Sequence, residues 1–452
     1  MLFKIGRISN RDLILGYLAQ FLSMANGLIL LPFILGMLTA DEVGIYYIFL
    51  TIGSLVVLSD FGFSGQISRS VSYVLSGADS LQKEGIEISK SNSINFSLLS
   101  SLVSSAKYIF FRLAILIFFL VGTFGTLYLY YVTDGLSSVS NLTLIWLVFS
   151  VGVFLNVYYT YLSSLLHGKG MVTKSNLSVI YSKALNIVLT MIFLFAGLRL
   201  LGVVLANLIS PFLSRYLANS WFFTEDFRKG LRDYRGKNLR NAEVLEILWY
   251  NSRKFGLVAL GSFTINKFSV FLVAIYLGLS EVGAYGLMLQ VYGVLATVGS
   301  VLVTMSLPRF SSLRVQGEKD LLIREFALSS TFYYLTYFIG AILLMTFLYD
   351  ILDYFGSNVS IPSVEIMILF GVVVFLEGNH TNFATLIVSS TKVPFVKSAL
   401  IAGSIIVLLD VFVLEFTSLG LFGLVLVQGS VQLVYANWKW PKVVLNEFGI
   451  SV

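Results

Sequence analysis

The sequence contains no cysteine and only two histidines, and both shortages restrict its chemistry. Without cysteine, a disulfide, a thiol nucleophile and a thiolate metal site are all excluded. His167 and His380 are too few to build a histidine metal cluster. We therefore predict no metal site and no cofactor.

Charged residues are also scarce, because only 12% of the 452 residues are charged while 57% are hydrophobic. A soluble domain contains about 25% charged residues. Apolar runs of roughly 20 residues, the length that crosses a bilayer, recur from one end of the chain to the other. Backbone polar groups in lipid must bond internally, so these runs must be helices. The composition predicts an all-α, polytopic helical membrane protein.

Charged and small polar residues divide the apolar runs into twelve predicted membrane spans. The spans lie near residues 13–37, 43–66, 110–133, 141–166, 176–197, 200–223, 255–278, 282–306, 327–349, 362–388, 397–415 and 418–438. Nearly all of the 30 lysines and arginines then fall on one side of the membrane. Cytoplasmic loops carry this excess of lysine and arginine, so both termini are predicted to be cytoplasmic. The net charge of +6 therefore does not indicate a nucleic-acid partner.

Three short stretches occur twice, at similar places in the two halves of the chain. ADEVGIYYIF from Ala40 matches LSEVGAYGLM from Leu279, and in both an acid (Glu42, Glu281) opens a span. An acid there complements the positive end of the helix dipole. The other matches are VFLN from Val153 with VFLE from Val374, and KGMVTKSNL from Lys169 with KVPFVKSAL from Lys392.

These matches predict an internal repeat of two six-helix bundles. Six spans is an even number, so matching positions face the same side of the membrane and the repeat is parallel. We expect a first bundle over residues 1–224, a cytoplasmic linker over 225–254 and a second bundle over 255–452. Such repeats are typical of secondary transporters, in which the substrate path lies between the repeats.

Two cations lie inside predicted spans, where charges are expensive and usually functional. In the sixth span, Asn207, Pro211 and Arg215 recur every four residues. Lys267, next to Asn266, lies near the middle of the seventh span. Together they predict a cationic path suited to an anionic substrate. Alternatively, Arg215 extends to the membrane surface, or Lys267 forms a structural ion pair.

Three acids also lie inside spans: Asp60, Glu377 and Asp410. The stretch LEGNHTNFAT around Glu377 is the most polar of any span, and His380 shares a helix face with Glu377. Buried carboxylates can exchange protons near neutral pH, which suits ion coupling. The alternative is that Glu377 only balances Lys267 or Arg215.

Several segments resemble one known family. LPFILGMLTADEVGIY from Leu31, SDFGFSGQISR from Ser59 and MSLPRFSSL from Met305 resemble segments of Wzx-type flippases. These flippases belong to the multidrug/oligosaccharidyl-lipid/polysaccharide (MOP) exporter superfamily. The residues that carry the likeness are Pro32, Gly36, Gly44, Tyr46, Asp60 and Gly62.

The resemblance implies a MATE-like fold and a flippase for undecaprenyl-pyrophosphate-linked oligosaccharides, such as O-antigen units, in the bacterial plasma (inner) membrane. It also implies a cationic lumen, coupling to H⁺ or Na⁺, and other polysaccharide-assembly proteins as partners. Arg215 and Lys267 would meet the pyrophosphate or acidic sugars. The residues that would meet sugar hydroxyls are Asn26, Asn156 and Asn266. The ion-coupling positions would be Glu377, Asp410, Asp60 and His380.

Lipid II flippases of the same superfamily are a poorer match, because the sequence predicts no thirteenth and fourteenth spans. Three other functions compete with this interpretation. A drug/cation antiporter of the same superfamily shares the layout but usually relies on acids rather than central cations. A major-facilitator transporter would carry Gly-x3-Asp-Arg-x-Gly after its second span, where this chain has GQISRSVSYV. A membrane polysaccharide polymerase or glycosyltransferase needs a large external loop with catalytic residues. Here Asp350 and Asp353 are the only notable external acids and a helix end explains them, so no catalytic residues are predicted.

Overall fold

The computed structural model describes residues 26–58, 60–78, 80–81, 94–233, 241–390 and 394–449, and their regular structure is helical throughout. The helices of the first half are α1 (Asn26–Met37), α2 (Ala40–Leu58), α3 (Phe63–Leu75), α4 (Phe96–Leu120), α5 (Thr126–Val132), α6 (Leu142–Gly168), α7 (Val172–Phe195), α8 (Arg199–Phe222) and α9 (Glu225–Asp233). A π-helical turn, Val121–Gly125, joins α4 to α5.

The helices of the second half are α10 (Asn241–Asn266), α11 (Ser269–Tyr276), α12 (Leu279–Gly299), α13 (Val301–Met305), α14 (Leu307–Gln316), α15 (Lys319–Tyr354), α16 (Val364–Val388), α17 (Val396–Phe416), α18 (Gly420–Val434) and α19 (Ala436–Phe448).

Among the described residues, 11 helical segments are long and apolar enough to cross a membrane. The predicted all-α, multi-pass architecture is therefore confirmed. The predicted first span begins at residue 13, and most of it lies outside the described residues, which include only its end, α1. The count of twelve spans and the cytoplasmic side of the termini stay predictions.

Several predicted spans consist of two shorter helices, and in two of them the break lies at a candidate site residue, Asp60 or Lys267. The span predicted at 43–66 consists of α2 and α3, separated by a turn in which Phe61 and Gly62 have φ of 45° and 83°. A right-handed helix cannot continue through residues with positive φ. The span predicted at 255–278 is interrupted at Lys267, between α10 and α11. These breaks depend on backbone conformation, and side-chain hydropathy therefore does not reveal them.

The chain forms two compact units. The first comprises Met1–Met37 and Ile52–Ala259, and the second comprises Leu38–Thr51 and Leu260–Val452. In the first unit, α7 packs along α8, and α6 packs against α3, α4 and α8. In the second, α12 packs against α15, α17 against α18, and α16 against α18 and α19. The segment Leu38–Thr51, which the sequence division placed in the first bundle, thus packs with the second unit.

The two copies of Glu-Val-Gly lie against each other within the second unit. A Cβ atom at Gly44 would overlap the backbone carbonyl of Leu279, so only glycine permits this approach of α2 to α12. A Cβ atom at Gly283 would lie 3.5 Å from Val43 Cγ1. The backbone N–H of Thr39 donates to Glu42 Oε2 at 2.9 Å, and Thr39 Oγ1 accepts from the Glu42 N–H. This is a capping box, which explains Glu42 as a helix-start residue.

Buried tyrosines fix helix α16, which carries Glu377. Three hydroxyls donate at 2.7–2.9 Å to carbonyl oxygens spaced four residues apart on α16: Tyr292 to Met367, Tyr337 to Gly371 and Tyr333 to Phe375. A Cβ atom at Gly378 would overlap the Tyr333 hydroxyl, so the helix is also held close to this ring. The position of Glu377 is therefore set by direct hydrogen bonds from α12 and α15 to the α16 backbone.

Candidate functional site

In the first unit, Arg215 of α8 is buried beside an amide and two aromatic rings. Its side chain is 8% exposed, and Nη2 donates to Asn156 Oδ1 of α6 at 2.6 Å. The guanidinium carbon lies 5.0 Å from the Tyr159 ring centroid and 4.8 Å from that of Phe212. Nη1 is buried without a hydrogen-bond partner. Within the described part of the chain, all of these partners are neutral.

Arg215 has two interpretations, which are extension to the membrane surface and recognition of an anion. An arginine that extends to the membrane surface keeps its charged group in water, whereas this guanidinium is buried. A buried charge without a counter-charge is costly. Asn156 itself is exposed, so an anionic oxygen could replace its amide oxygen as the acceptor for Arg215. The geometry therefore suits recognition of an anion.

The polar stripe predicted on α8 serves two purposes in the structure. Asn207 and Ser210 face α7, where Asn186 Nδ2 donates to Asn207 Oδ1 at 3.1 Å and to Ser210 Oγ at 3.2 Å. Ser182 Oγ donates to the Ser210 carbonyl at 2.9 Å. These bonds hold α7 to α8, while Arg215 points to α6. The α7 residues were not predicted from the sequence, although a buried polar residue recurs there every four positions: Ser178, Ser182, Asn186 and Thr190.

Two other predicted residues of the first unit form no hydrogen bond with Arg215. Asn26 Oδ1 is buried without a hydrogen-bond partner, and no hydrogen bond joins Asn26 to Arg215. Asp60 Oδ1 accepts from the Ser64 backbone N–H at 3.0 Å and from Ser64 Oγ at 2.9 Å. Asp60 therefore caps the start of α3. The substrate role of Asn26 and the coupling role of Asp60 stay predictions.

In the second unit, the break between α10 and α11 places Lys267 in a turn. The backbone N–H groups of Lys267 and Phe268 both donate to the Phe263 carbonyl, at 2.8 and 3.2 Å. Interrupted helices of transporters commonly carry their binding residues at the break. The break also leaves Asn266 at the end of α10 and Ser269 at the start of α11.

Glu377 is the centre of a polar cluster around this break. Its Oε2 accepts from Gln428 Nε2 at 3.2 Å and from Gln432 Nε2 at 3.4 Å, both on α18. Gln428 Nε2 also donates to Asn266 Oδ1 at 3.3 Å. Lys267 interacts electrostatically with Glu377, but their charged atoms are not within the 4.0 Å of an ion pair. The structure thus brings together three predicted residues, with Lys267 and Glu377 interacting at longer range than a structural ion pair.

His380 and Asp410 extend the polar interior of the second unit. His380 Nδ1 lies 2.7 Å from Asn437 Oδ1. Asp410 is 0% exposed; its Oδ2 accepts from Ser269 Oγ at 2.6 Å, while Oδ1 has no hydrogen-bond partner. A buried carboxylate oxygen without a donor is a place for a proton or a cation to bind.

Three residues of these sites were not predicted from the sequence: Ser269, Gln428 and Gln432. The two glutamines are four residues apart in an otherwise apolar helix, and this spacing is a detectable pattern. Ser269 offered no comparable pattern, because its role depends on a contact with a residue 141 positions away.

The two polar sites occupy equivalent positions of the repeat. Asn156 ends VFLN in α6 and Glu377 ends VFLE in α16, and each lies near one intramembrane cation. The first unit therefore has a neutral amide where the second has a carboxylate. Across the described residues, no three histidine or acidic side chains lie close enough together to hold a metal ion.

No family model and no curated protein sequence matches the chain. Among solved structures, an inward-facing multidrug resistance MATE family transporter of the MOP superfamily aligns with a TM-score of 0.67 and 13% identity, covering 95% of each chain. The MATE multidrug transporter DinF-BH in complex with R6G aligns with a TM-score of 0.60 and 16% identity, over 96% of this chain and 94% of the other. The lipid II flippase MurJ aligns with a TM-score of 0.58 and 14% identity, over 96% of this chain and 87% of the other.

These similarities span nearly the whole chain at low sequence identity, and they confirm the predicted fold class. The resemblance to Wzx-type flippases, which is narrower, stays a prediction. The chain is a multi-pass helical membrane protein with the MATE-like fold of MOP-superfamily transporters.

Proposed function

We propose that the protein flips an undecaprenyl-pyrophosphate-linked oligosaccharide, such as an O-antigen unit, across the bacterial plasma membrane by alternating access. The observation that carries this proposal is Arg215, a buried cation whose Nη1 lacks a partner. The structural similarity to a lipid II flippase supports a lipid-linked substrate. Other polysaccharide-assembly proteins would supply and use this substrate.

A pyrophosphate fits the chemistry around Arg215. Guanidinium groups bind phosphate oxygens through two parallel N–H donors, and Nη2 at present donates only to the neutral Asn156 amide. A phosphate oxygen would take the place of Asn156 Oδ1 and also accept from Nη1. The released Asn156 amide and the nearby Tyr159 could then bind sugar hydroxyls. Lys267, at the helix break of the second unit, is the other cation that we propose for binding acidic groups of the substrate.

The acids of the second unit would couple transport to an ion gradient. Glu377 accepts two amide hydrogen bonds, and Asp410 has an oxygen without a partner. Each could bind H⁺ or Na⁺, and neutralising them would change their bonds to Gln428, Gln432 and Ser269. Because these partners belong to α18 and α11, ion binding would alter helix packing.

The second candidate is a drug/cation antiporter of the same superfamily. The buried acids Glu377 and Asp410 favour it, because a carboxylate in an apolar interior attracts a cationic substrate. Two of the similar structures are multidrug transporters. Arg215 favours the lipid-linked anion instead, because no acid neutralises it within the described residues.

The experiment is transport by the purified full chain in proteoliposomes. One arm follows a fluorescent oligosaccharide linked to undecaprenyl pyrophosphate, and the other follows a fluorescent lipophilic cation. We expect the protein to speed translocation of the lipid-linked sugar and to leave the cation unmoved. Transport of the cation alone would contradict our proposal and would identify the protein as a drug/cation antiporter.

The same vesicles test coupling when a pH or Na⁺ gradient is imposed. Wild-type transport should respond to one of the two gradients, and Glu377→Gln should remove that response. Glu365→Gln is the matched control, because Glu365 is exposed at the start of the same helix. If the transport response of Glu377→Gln to each gradient equals that of the wild type, Glu377 is not a coupling residue.

A further inference from the structure

Three lysines lie over three consecutive aromatic residues at the cation-rich end of the first unit. The distances from Nζ to the ring centroid are 5.9 Å for Lys174 over Trp221, 5.3 Å for Lys169 over Phe222, and 5.3 Å for Lys107 over Phe223. The lysines come from α7, from the turn between α6 and α7, and from α4. We call these six residues the lysine–aromatic cluster.

Lys169 has the most confined position in this cluster. Its Nζ donates to the Phe222 carbonyl at 3.0 Å and lies 3.7 Å from the ring centroid of Phe227 on α9. Burial, together with repulsion from Lys174, lowers the pKa of Lys169 from 10.5 to about 8. In the described part of the chain, neither Lys169 nor Lys174 forms an ion pair. Lys169 and Lys174 therefore concentrate positive charge that a bound anion would stabilise.

The cluster lies where a bilayer surface is expected. The helix that runs from Phe96 to Val132 has 37 residues. At 1.5 Å per residue its length is about 55 Å, against about 30 Å for the hydrocarbon core, so its ends extend beyond the hydrocarbon. Lys107 lies in the first half of this helix, and Trp221 lies at the end of α8. Tryptophan, tyrosine and lysine are typical of this interface.

An exposed apolar stripe on α8 leads away from the cluster. Ile209, Phe212 and Tyr216 are 41%, 46% and 71% exposed, and their spacing places them on one helix face. A ligand with a phosphate and acyl chains would match both features, with the phosphate at the lysines and the chains along the stripe. A soluble phosphate would use only the lysines.

We propose that the lysine–aromatic cluster binds the phosphate of an anionic phospholipid headgroup at the cation-rich surface of the bilayer. The phosphate oxygens accept hydrogen bonds from the ammonium groups that lie over the aromatic rings. Lysine is suited to this role as a compact point charge for phosphate. The six residues of the lysine–aromatic cluster are not among those that contact Arg215.

The test is lipid binding by the full chain in detergent, measured by native mass spectrometry with dioctanoyl-phosphatidylglycerol as the probe. We expect one tightly bound lipid in the wild type. The variant K107Q/K169Q/K174Q should bind it about 100-fold more weakly, because each lysine near a membrane surface contributes about fivefold. Dioctanoyl-phosphatidylcholine should bind weakly to both proteins.

Two variants control for charge and for folding. K107R/K169R/K174R keeps the charges and should bind like the wild type. K319Q/K397Q/K442Q removes three exposed lysines of the second unit and should also bind like the wild type. None of these three lies over an aromatic ring within the described residues, and Lys397 repeats the position of Lys174. If the triple glutamine variant unfolds, the exposed single change Lys174→Gln should still show the fivefold loss.

Three results would contradict the proposed lipid site. The triple glutamine variant could bind the lipid as tightly as the wild type does. The control variant could lose as much affinity as the cluster variant, so that net charge alone governs binding. Glycerol 3-phosphate could compete as well as the lipid does, and the ligand would then be a free phosphate.

Discussion

At the scale of single residues, one position of the repeat gives the two polar sites different charges. Asn156 and Glu377 occupy the same place in the repeat, and each lies near one cation. With an amide, the first unit keeps a net positive charge at Arg215. With a carboxylate, the second unit has opposite charges at Glu377 and Lys267. We therefore expect the identity of this residue to set whether a site attracts an anion.

The isosteric change Asn156→Asp tests this assignment. It places a carboxylate oxygen where Asn156 Oδ1 now lies, 2.6 Å from Arg215 Nη2. Pairing a buried charge should raise stability by about 1–2 kcal/mol, whereas transport of the anionic substrate should fall at least tenfold because Arg215 is neutralised. The measurements are the thermal midpoint in detergent and transport in proteoliposomes.

Asn156→Gln is the control for this change, because it keeps a neutral amide at the position. It should retain most of the transport activity. Undiminished transport by Asn156→Asp would show that Arg215 does not bind the substrate.

The residue scale also shows what sequence alone can find. Arg215, Lys267, Glu377 and Asp410 stand out because an ionisable residue in an apolar run is conspicuous. Their partners are less visible, since Ser269 and Asn437 are ordinary residues until folding brings them to Asp410 and His380.

At the scale of helices, hydropathy locates the elements but not their breaks. The predicted spans from 141–166 to 200–223 agree with α6, α7 and α8 to within a few residues. The break at Lys267 follows no proline or glycine, so composition could not reveal it. The helix from Phe96 to Val132 is longer than the predicted span because its polar first turns remain helical outside the apolar run.

A glycine in the repeated motif gives a prediction at this scale. Gly44→Ala adds a methyl group that overlaps the Leu279 carbonyl, and a backbone atom cannot move aside cheaply. The expected cost is about 1–3 kcal/mol, the range for overpacking a close contact. The measurement is the thermal midpoint of the purified protein in detergent, which should fall.

Gly53→Ala is the matched control in the same helix, because a Cβ atom there meets nothing within 4 Å. Its midpoint should stay the same or rise slightly, since alanine favours helix by up to about 1 kcal/mol over glycine. Equal midpoints for Gly44→Ala and the wild type would mean that α2 and α12 do not approach as closely as the structure shows.

At the scale of the whole molecule, each compact unit has its own polar site, and the two sites differ in charge. The first unit has a cation with neutral partners, and the second has a cation, two acids and a histidine. The repeat is visible in the sequence because both halves keep the Glu-Val-Gly stretch and the two other matched stretches. The division of the chain was less visible, since Leu38–Thr51 packs with the second unit through contacts that no single stretch of sequence reveals.

The most direct measurement is the rate at which Arg215→Gln translocates undecaprenyl-pyrophosphate-linked oligosaccharide in proteoliposomes. Removing the guanidinium removes charge-assisted hydrogen bonds worth about 1.5–3 kcal/mol, so the rate should fall by about tenfold to 100-fold. Arg199→Gln, an exposed change at the start of the same helix, should transport at the wild-type rate. If Arg215→Gln transports as fast as the wild type while folded and inserted, the substrate is not recognised by this cation and our account of the site is wrong.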